Sequence, residues 1–337
     1  MVNFSVDAIR KGDKLALSRV LSRVEADDED GRAALDALFA FTGRAHKIGV
    51  TGAPGTGKSS LVNALAHDLR RSFSDCRLAI IAVDPTSPFT GGAILGDRVR
   101  MPDLQNDPGV FIRSMATRGA LGGLAEATLA LSQVFDAAGY DYVLIETVGA
   151  GQAEVDIVNL AHTTIVVAAP GMGDDIQAIK AGILEIADIL VVNKADLPGA
   201  DQTYRNLVSM IEMGYRGAGR INGGHHQLSE IAGARAAEQS GWLPPVLKTT
   251  AITAQGIAGL ANAIGQHRAY LQTSGTWHAK EKGALQQLID KLITEELTGN
   301  WKKKLPAELY ETTLHAVSQR KLSPRAAARA LLAYNSL

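Results

Sequence analysis

Residues 47–63 read KIGVTGAPGTGKSSLVN, and this stretch decides the fold. An apolar run at 48–50 leads into a glycine-rich loop at 52–59, and a helical pattern begins at Ser60. The loop matches G-x-x-x-x-G-K-[ST] in the strand–loop–helix context that the motif requires. Its glycines let backbone N–H groups point inward around phosphate oxygens, and the following helix adds a positive N-terminal dipole. The pattern therefore predicts a nucleotide-phosphate site.

Two side chains of this loop have separate predicted roles. Lys58 is expected to reach the β- and γ-phosphates, and the Ser59 hydroxyl is expected to ligate Mg²⁺. The other loop residues are expected to bind the phosphates mainly through their backbone: Gly52, Ala53, Pro54, Gly55, Thr56, Gly57 and Ser60.

Length, charge and cysteine content limit the number of structural units and the kinds of partner and metal site to be expected. The 337 residues suffice for two or three structural units. With 34 basic and 35 acidic residues and no long basic run, a nucleic-acid partner is not indicated. Cys76 is the only cysteine, so neither a disulfide framework nor a thiolate metal cluster is expected. The start lacks a secretory signal and no apolar run reaches roughly 18 residues, which favours a cytoplasmic protein without a membrane segment.

Apolar strands alternate with amphipathic helices over residues 46–272. The predicted strands lie at 48–51, 78–83, 110–113, 142–145, 164–169, 189–192 and 246–249. Several are continuously apolar, as is typical of parallel strands covered on both faces. The pattern predicts an α/β P-loop NTPase whose mostly parallel central sheet is flanked by helices. Asp84, Glu146 and Asn193 follow strands, at the carboxyl ends where such sheets bind ligands.

The two ends of the chain are predicted to be helical extensions, at 1–45 and 273–337. In the first, Asp13 is a predicted helix N-cap, the acidic run 27–30 a solvated connection, and 33–41 a short helix. In the second, Ser323 and Pro324 form a helix-start signal. The predicted helices there lie at 277–297, ending at Gly299, and at 307–319 and 323–334. A charged helical tail of this kind indicates an oligomerisation or partner element.

Residues 193–196, reading NKAD, follow an apolar strand and predict a guanine reader. The Asp196 carboxylate can accept both the N1–H and the exocyclic amine of guanine, whereas adenine offers no matching pair of donors. Asn193 would hold the loop, and the stem of Lys194 would lie along the base. Thr250 and Ala251 follow the last strand, where a backbone N–H could meet the guanine oxygen.

Residues 146–149, reading ETVG, occupy the position of the D-x-x-G switch of GTPases. Glu146 can bind Mg²⁺ directly or through water, and the Gly149 N–H can contact a γ-phosphate, which makes the segment sensitive to the triphosphate. Gln152 either positions the attacking water or caps the next helix. Without a glutamine directly after Gly149, we expect slow intrinsic turnover.

Residues 84–100, reading DPTSPFTGGAILGDRVR, fit neither a strand nor a helix. Asp97 is a potential Mg²⁺ ligand beside Arg98 and Arg100, and these arginines could stabilise charge during phosphoryl transfer. The alternative is an ordinary surface loop with ion pairs. The turn at 170–175, PGMGDD, opens a helix and could couple nucleotide state to a partner.

Five blocks in this order resemble the MeaB/ArgK-type GTPases, accessory proteins of adenosylcobalamin-dependent acyl-CoA mutases such as methylmalonyl-CoA mutase. The blocks are GAPGTGKSS (52–60), VDPTSPFTGGAILGDRVRM (83–101), IETVGAGQAE (145–154), PGMGDDIQAIKAGILEIAD (170–188) and NKAD (193–196). The resemblance implies a SIMIBI-class G domain, a C-terminal arm that forms a homodimer, and GTP hydrolysis that gates cofactor loading and protects the mutase.

By matching position, the resemblance also implies roles for individual residues. Asp84, Asp97 and Glu146 would form an acidic environment for Mg²⁺ and water, so that Lys58, Asp84, Asp97, Arg100 and Glu146 are the candidate catalytic residues. Residues 84–101 and 146–154 would be the first two switches, and 171–182 the third, which contacts the mutase. Ala181 stands where some members have a second lysine, and residues 218–242 match no role.

Two other functions stay open at this point. A metal-insertion GTPase for a nickel enzyme would share the fold but would call for cysteine or histidine ligands near the switches. A kinase or transport-associated ATPase would need an acceptor site, and NKAD speaks against adenine. The expected ligands are GTP or GDP with Mg²⁺, and the expected partners are the mutase and a second copy of the chain.

Overall fold

A seven-stranded, all-parallel sheet in the order β3-β2-β4-β1-β5-β6-β7 forms the centre of the protein. The computed structural model describes residues 5–84, 101–116, 123–147, 160–171, 186–217 and 241–334. All seven predicted strands are present, and the predicted fold class is confirmed. The strands are β1 (His46–Thr51), β2 (Leu78–Asp84), β3 (Val110–Ala116), β4 (Tyr142–Thr147), β5 (Thr163–Ala168), β6 (Ile189–Val192) and β7 (Val246–Lys248).

Eleven helices and one short 3₁₀ helix (Ala251–Thr253) accompany the sheet in the described part of the chain. The helices are α1 (Val6–Arg10), α2 (Lys14–Glu25), α3 (Glu29–Phe39), α4 (Lys58–Ser72), α5 (Pro102–Gln105), α6 (Gly123–Ala137), α7 (Ala200–Gly217), α8 (Ile257–Ser274), α9 (Thr276–Lys304), α10 (Ala307–Ser318) and α11 (Pro324–Tyr334). Among the described residues, none of these helices is both long and apolar enough to cross a membrane.

The pleat of the strands divides their apolar side chains between two cores. Leu78 and Ile80 of β2 pack with α4 and α8, whereas Ala79 and Ile81 of the same strand pack with α6 and the N-terminal helices. Successive side chains of a strand point to opposite faces, so a continuously apolar strand requires cover on both sides. On the second face, α7 covers β5 and β6.

The N-terminal helices α1–α3 cover one face of the sheet together with α6. Asp13 caps α2 as predicted, because its carboxylate accepts from the backbone N–H groups of Leu15 and Ala16. The buried carboxylate of Asp136 on α6 accepts from three consecutive backbone N–H groups at 43–45, at 2.7–3.0 Å. These charge-assisted bonds attach the segment before β1 to α6.

Two predicted helix boundaries are wrong. Helix α3 begins at Glu29 within the acidic run, because Asp28 caps it by accepting from the Gly31 N–H. Acidic residues in a first turn also interact favourably with the helix dipole, so the run starts a helix rather than forming a connection. Helix α9 does not end at Gly299 but continues to Lys304.

The chain separates into two compact units, 1–281 and 282–337, and the boundary falls within α9. In the second unit α10 and α11 pack on each other, and α11 begins at Pro324 after the predicted Ser323 cap. The division of the chain into an extension at 1–45, a G domain at 46–272 and an arm at 273–337 stays a prediction.

The strand register brings the carboxyl ends of the central strands to one edge. Val50 pairs with Glu146, Thr51 with Val166, and Ala168 with Val192, whose successor is Asn193. The loops that follow β1, β4 and β6 are therefore neighbours, and they carry most of the predicted site.

Candidate nucleotide-binding site

Two glycines of the phosphate loop stand where no side chain fits. Gly52, directly after β1, has φ +141°, and a Cβ there would overlap the carbonyl oxygen of Val167 on β5. Gly57 has φ +86°, and a Cβ there would collide with the side-chain amide of Asn193. Both positions therefore require glycine, for the backbone angle and for the close approach of a neighbour.

Helix α4 opens at Lys58 with Gly57 as its N-cap, which supplies no side-chain hydrogen bond. The first backbone N–H groups of a helix have no acceptor within the helix, and together with the dipole they form a site for an anion. The 15-residue helix therefore presents the start that the phosphate-loop motif predicts.

Lys58 lies inside the curve of its own loop. Its side chain is buried, and Nζ donates to the carbonyl oxygens of Gly52 at 2.6 Å and Ala53 at 3.1 Å. This places an ammonium group among the backbone groups that are expected to surround the phosphates.

Ser59 and Glu146 contact each other directly. The Ser59 hydroxyl donates to Oε1 of Glu146, a residue of β4 that is only 3% exposed. A hydroxyl and a carboxylate are hard oxygen donors of the type that Mg²⁺ prefers. The residues present thus fit the metal that the sequence predicts.

Only some of the other predicted catalytic and switch residues belong to the described part of the chain. The backbone of Asp84 ends β2, beside β4. Asp97, Arg100, Gly149 and Gln152 lie outside the described residues, as do most of the predicted third switch and nearly all of 218–242. Within the described ranges, no group of three or more His, Cys, Asp or Glu side chains could by itself hold a metal ion.

Asn193 joins three segments at the rim of the site. Its Nδ2 donates to the carbonyl oxygen of Thr56 at 2.9 Å and, at 3.4 Å, to that of Gly57. Its Oδ1 accepts from the Ala251 N–H and the Thr249 hydroxyl, each at 3.2 Å. The side chain is buried, so these bonds bring the phosphate loop, the NKAD loop and the segment after β7 together.

The other side chains of the NKAD loop are less buried than Asn193. Lys194 has a left-handed φ of +56° and donates from Nζ to the Gly55 carbonyl oxygen at 2.7 Å, so its stem lies across the phosphate loop. Asp196 is exposed.

Thr250 and Ala251 are expected to offer a backbone N–H to the guanine oxygen. Here the Thr250 N–H donates to the Gln255 carbonyl oxygen at 2.9 Å and the Ala251 N–H to Oδ1 of Asn193.

Two buried threonines, the last residues of β1 and β4, contact each other beside the candidate site, and no role was expected for them from the sequence. The Thr147 hydroxyl lies 3.3 Å from that of Thr51 and 3.4 Å from the Val50 carbonyl oxygen. Each ends an apolar strand, and that polar last residue is the only sequence signal that could have identified the pair.

The sequence matches known proteins over nearly its whole length. Residues 15–305 match the profile of the family described as "Methylmalonyl Co-A mutase-associated GTPase MeaB". A protein of Pyrococcus abyssi whose name classes it among the GTPases is 41% identical over 332 residues, which cover 98% of this chain and 96% of that protein. The GTPase ArgK of Escherichia coli is 32% identical over 332 residues, covering 97% of this chain and 94% of ArgK.

A solved structure has a similar architecture. The crystal structure titled "LAO/AO transport system kinase" superposes with a TM-score of 0.67 and 26% sequence identity, covering 98% of this chain and 96% of that one.

The contacts of Asn193 lead to a prediction for nucleotide affinity. The substitution Asn193→Ala removes bonds to the phosphate loop and leaves the buried Ala251 N–H unpaired, so the loops should separate and bind GDP less well. We expect a loss of about 2 kcal/mol, or about thirtyfold in Kd, measured by isothermal titration calorimetry. Asn300→Ala, at an exposed position of α9, is the matched control. An unchanged Kd in Asn193→Ala would contradict the prediction.

Proposed function

The chain belongs to the MeaB family of methylmalonyl-CoA mutase-associated GTPases, and from this premise we propose that it is a G-protein chaperone for an adenosylcobalamin-dependent acyl-CoA mutase. As a member of the family the chain is a GTP hydrolase that binds guanine nucleotides. The proposed finer role is to gate cofactor loading into the mutase and to protect the mutase from inactivation. The family match over residues 15–305 is the single observation that carries the proposal.

Hydrolysis by this site would begin with an exchange of partners in the phosphate loop. Lys58 would leave the carbonyl oxygens of Gly52 and Ala53 and donate to phosphate oxygens, where its charge balances the charge that develops in phosphoryl transfer. Backbone N–H groups at the start of α4 would bind the same phosphates.

Ser59 and Glu146 are the described residues that would hold Mg²⁺. When bound, the metal supplies charge stabilisation to the phosphate oxygens. Thr147 would keep Glu146 at its distance from the phosphate loop through the contacts with Thr51 and Val50. Asp84, Asp97 and Arg100 are proposed to complete the catalytic surroundings, and Gly149 to contact the γ-phosphate.

Base selection is proposed to depend on Asp196, supported by Asn193 and Lys194. A carboxylate accepts from two neighbouring N–H donors, and guanine is the purine of GTP and ATP that presents such a pair. Because Asp196 is exposed, its side chain can change without disturbing the core.

Replacing this carboxylate with an amide should change the preferred nucleotide. In Asp196→Asn the amide donates where the carboxylate accepted, which matches the 2-oxo group of xanthine and mismatches the 2-amino group of guanine. We expect kcat/KM for GTP to fall about a hundredfold or more and that for XTP to rise, measured by phosphate release. Asp36→Asn, exposed on α3, is the control. An unaltered GTP-to-XTP preference would refute the assignment of Asp196.

The proposed client can be tested with purified proteins. We expect a methylmalonyl-CoA-type mutase to raise the GTPase rate, and we expect its co-elution with the chain to differ between GDP and a non-hydrolysable GTP analogue. Lys58→Ala should abolish turnover with and without the mutase, since it removes the ammonium group proposed to bind the phosphates. A lack of both stimulation and nucleotide-dependent co-elution would reject the mutase as client. Transfer of phosphate to an acceptor, instead of its release, would favour the kinase function named for the solved relative.

We further propose that the chain forms a homodimer through α9. Four of its side chains are exposed for about half of their area or more: Ile289, Leu292, Ile293 and Leu297. Their spacing places them on one face of a helix, and an apolar stripe of this kind favours burial against a partner. The commonest oligomer is a two-fold symmetric dimer, in which the same surface of both copies forms the interface.

A charge on that stripe should prevent association. In Ile293→Glu with Leu297→Glu, two carboxylates would need to be desolvated at the interface, so we expect a monomer by sedimentation velocity where the unaltered chain is a dimer. Thr298→Glu, on the opposite face of α9, should leave the dimer intact. Identical sedimentation of all three proteins would overturn the proposed interface.

A further inference from the structure

A set of buried polar side chains lies at the amino ends of β1, β5 and β6, on the edge of the sheet opposite the nucleotide loops. We call it the basal cluster: His46, His162, Thr163, Asp188 and His267, none of them more than 4% exposed. Burying polar groups costs free energy unless they are hydrogen-bonded, so such a group requires an explanation. No part of nucleotide binding uses it.

Three members form a chain with a defined direction. Nε2 of His46 lies 2.7 Å from the Thr163 hydroxyl oxygen, which lies 2.8 Å from Nδ1 of His267. The hydroxyl has one proton, so it donates to one ring and accepts from the other. Nε2 of His267 is 3.5 Å from Oδ1 of Asp188, where an N–H is favoured over a lone pair. His267 Nδ1 is therefore the acceptor, and His46 donates from Nε2.

This direction leaves Nδ1 of His46 as the unprotonated nitrogen. Among the described residues that nitrogen has no hydrogen-bond partner. A second proton on His46 would therefore place a buried N–H, and a positive charge, where no acceptor faces it. In this series of hydrogen bonds every N–H and O–H has an acceptor only when His46 is neutral.

The second histidine of the cluster contacts the start of α9. His162 stacks on Trp277 with ring centroids 3.8 Å apart and planes inclined by 29°. Its Nδ1 accepts from the Lys47 backbone N–H at 3.1 Å, so its proton lies on Nε2, 3.6 Å from Oε1 of Glu281. Lys280 donates from Nζ to the His162 carbonyl oxygen at 2.6 Å.

Asp188 connects the two histidine groups to α9. Its Oδ2 accepts from the Thr164 N–H at 2.8 Å and lies 3.4 Å from Nζ of Lys280, while Oδ1 faces His267. The Trp242 indole N–H donates to its carbonyl oxygen at 2.9 Å. The start of α9 thus contacts His162 and Asp188, which precede β5 and β6, and the Trp277 ring also lies 5.6 Å from that of His46 on β1.

We propose that the basal cluster is a proton-sensitive latch, which holds residues 276–281 of α9 against the sheet while its histidines are neutral and opens when His46 and His162 take up protons. The latch belongs to the unit 1–281, and α9 continues from it into the second unit. The proposal does not depend on the identity of the client protein.

The charges around the histidines favour the neutral form. Burial, followed by the positive charges nearby, holds the pKa of His46 and that of His162 well below the usual histidine range. The charged and titratable groups that face them come from β1, β4, the residue before β6, α8 and α9: Lys47, Tyr142, Asp188, His267, Arg268, Lys280 and Glu281. Asp188 already faces His267 and Lys280, and Glu281 faces His162. The positive charges of Lys47, Arg268 and Lys280 disfavour a further positive charge on either histidine.

The sign of the pH effect follows from these shifts. An exposed histidine titrates near pH 6.5, whereas the closed latch binds its protons only at lower pH, so the open form gains protons first on acidification. Closure is therefore fully favoured above about pH 6.5 and is lost as the pH falls below that value. Burial raises the pKa of Glu281, which acts in the opposite direction nearer the carboxylate range. The window from pH 7.5 to 5.5 isolates the histidines.

The test is amide hydrogen exchange of the full chain between pH 7.5 and 5.5, read by mass spectrometry on peptides covering 276–281 and corrected for intrinsic exchange. With two histidines taking up protons, the opening equilibrium should rise about thirtyfold from pH 6.5 to 5.5. In His46→Gln or His162→Gln, one titrating group remains, and the rise should fall to about fivefold. His67→Gln, on the exposed side of α4, should behave as the unaltered chain.

A spectroscopic readout accompanies the exchange measurement. With Trp301→Phe the two remaining tryptophans, Trp242 and Trp277, both contact the basal cluster, and their emission should shift to the red over the same pH window as the stack of Trp277 on His162 opens. Should the glutamine variants fail to fold at pH 7.5, the unaltered chain decides: a change in 276–281 exchange below about twofold overturns the latch. Equal pH profiles in folded variants and the unaltered chain overturn it as well.

Discussion

The parallel pairing of β1 with β4 on one side and β5 on the other is the constraint on which the rest of the structure depends. It places the loop after β1 between the loops that follow β4 and β5, at one edge of the sheet. It also places Gly52 so close to the carbonyl oxygen of Val167 that any Cβ at this position would overlap that oxygen. The neighbouring strand therefore requires glycine at the first position of the phosphate loop.

The nucleotide edge is organised by the protein's own polar groups. Carbonyl oxygens of the phosphate loop accept from Lys58, Asn193 and Lys194, three residues from two distant segments. These bonds hold the loops near each other, so part of the ordering cost of binding is met during folding. In the proposed function the Asn193 bonds would persist when nucleotide binds, whereas Lys58 would exchange carbonyl oxygens for phosphate oxygens.

The polar side chains at the two ends of the strands differ in their exposure to solvent. At the carboxyl ends of the strands Asp196 is exposed, whereas at the amino ends His46, Thr163 and His267 are buried and hydrogen-bonded to each other. A buried network stabilises the fold only while each of its protons has an acceptor, and one additional proton here would have none. Strands β1 and β6 therefore lead into the proposed nucleotide site at one end, and at the other end the residues at or directly before their starts belong, with those of β5, to the proposed latch on α9.

The sequence by itself determined the local features: the phosphate loop, all seven strands, the fold class and the family. Each depends on neighbouring residues, since glycine and lysine spacing defines the loop and continuous apolar runs define parallel strands. Local rules failed at α9, where Gly299 costs only about 1 kcal/mol in a long helix and does not end it. Only the tertiary structure decided that Asn193 would bridge to Thr56, and that His46, Thr163 and His267 would meet although more than a hundred residues separate successive partners. Those contacts arise from strand order and helix packing, which no short stretch of sequence contains.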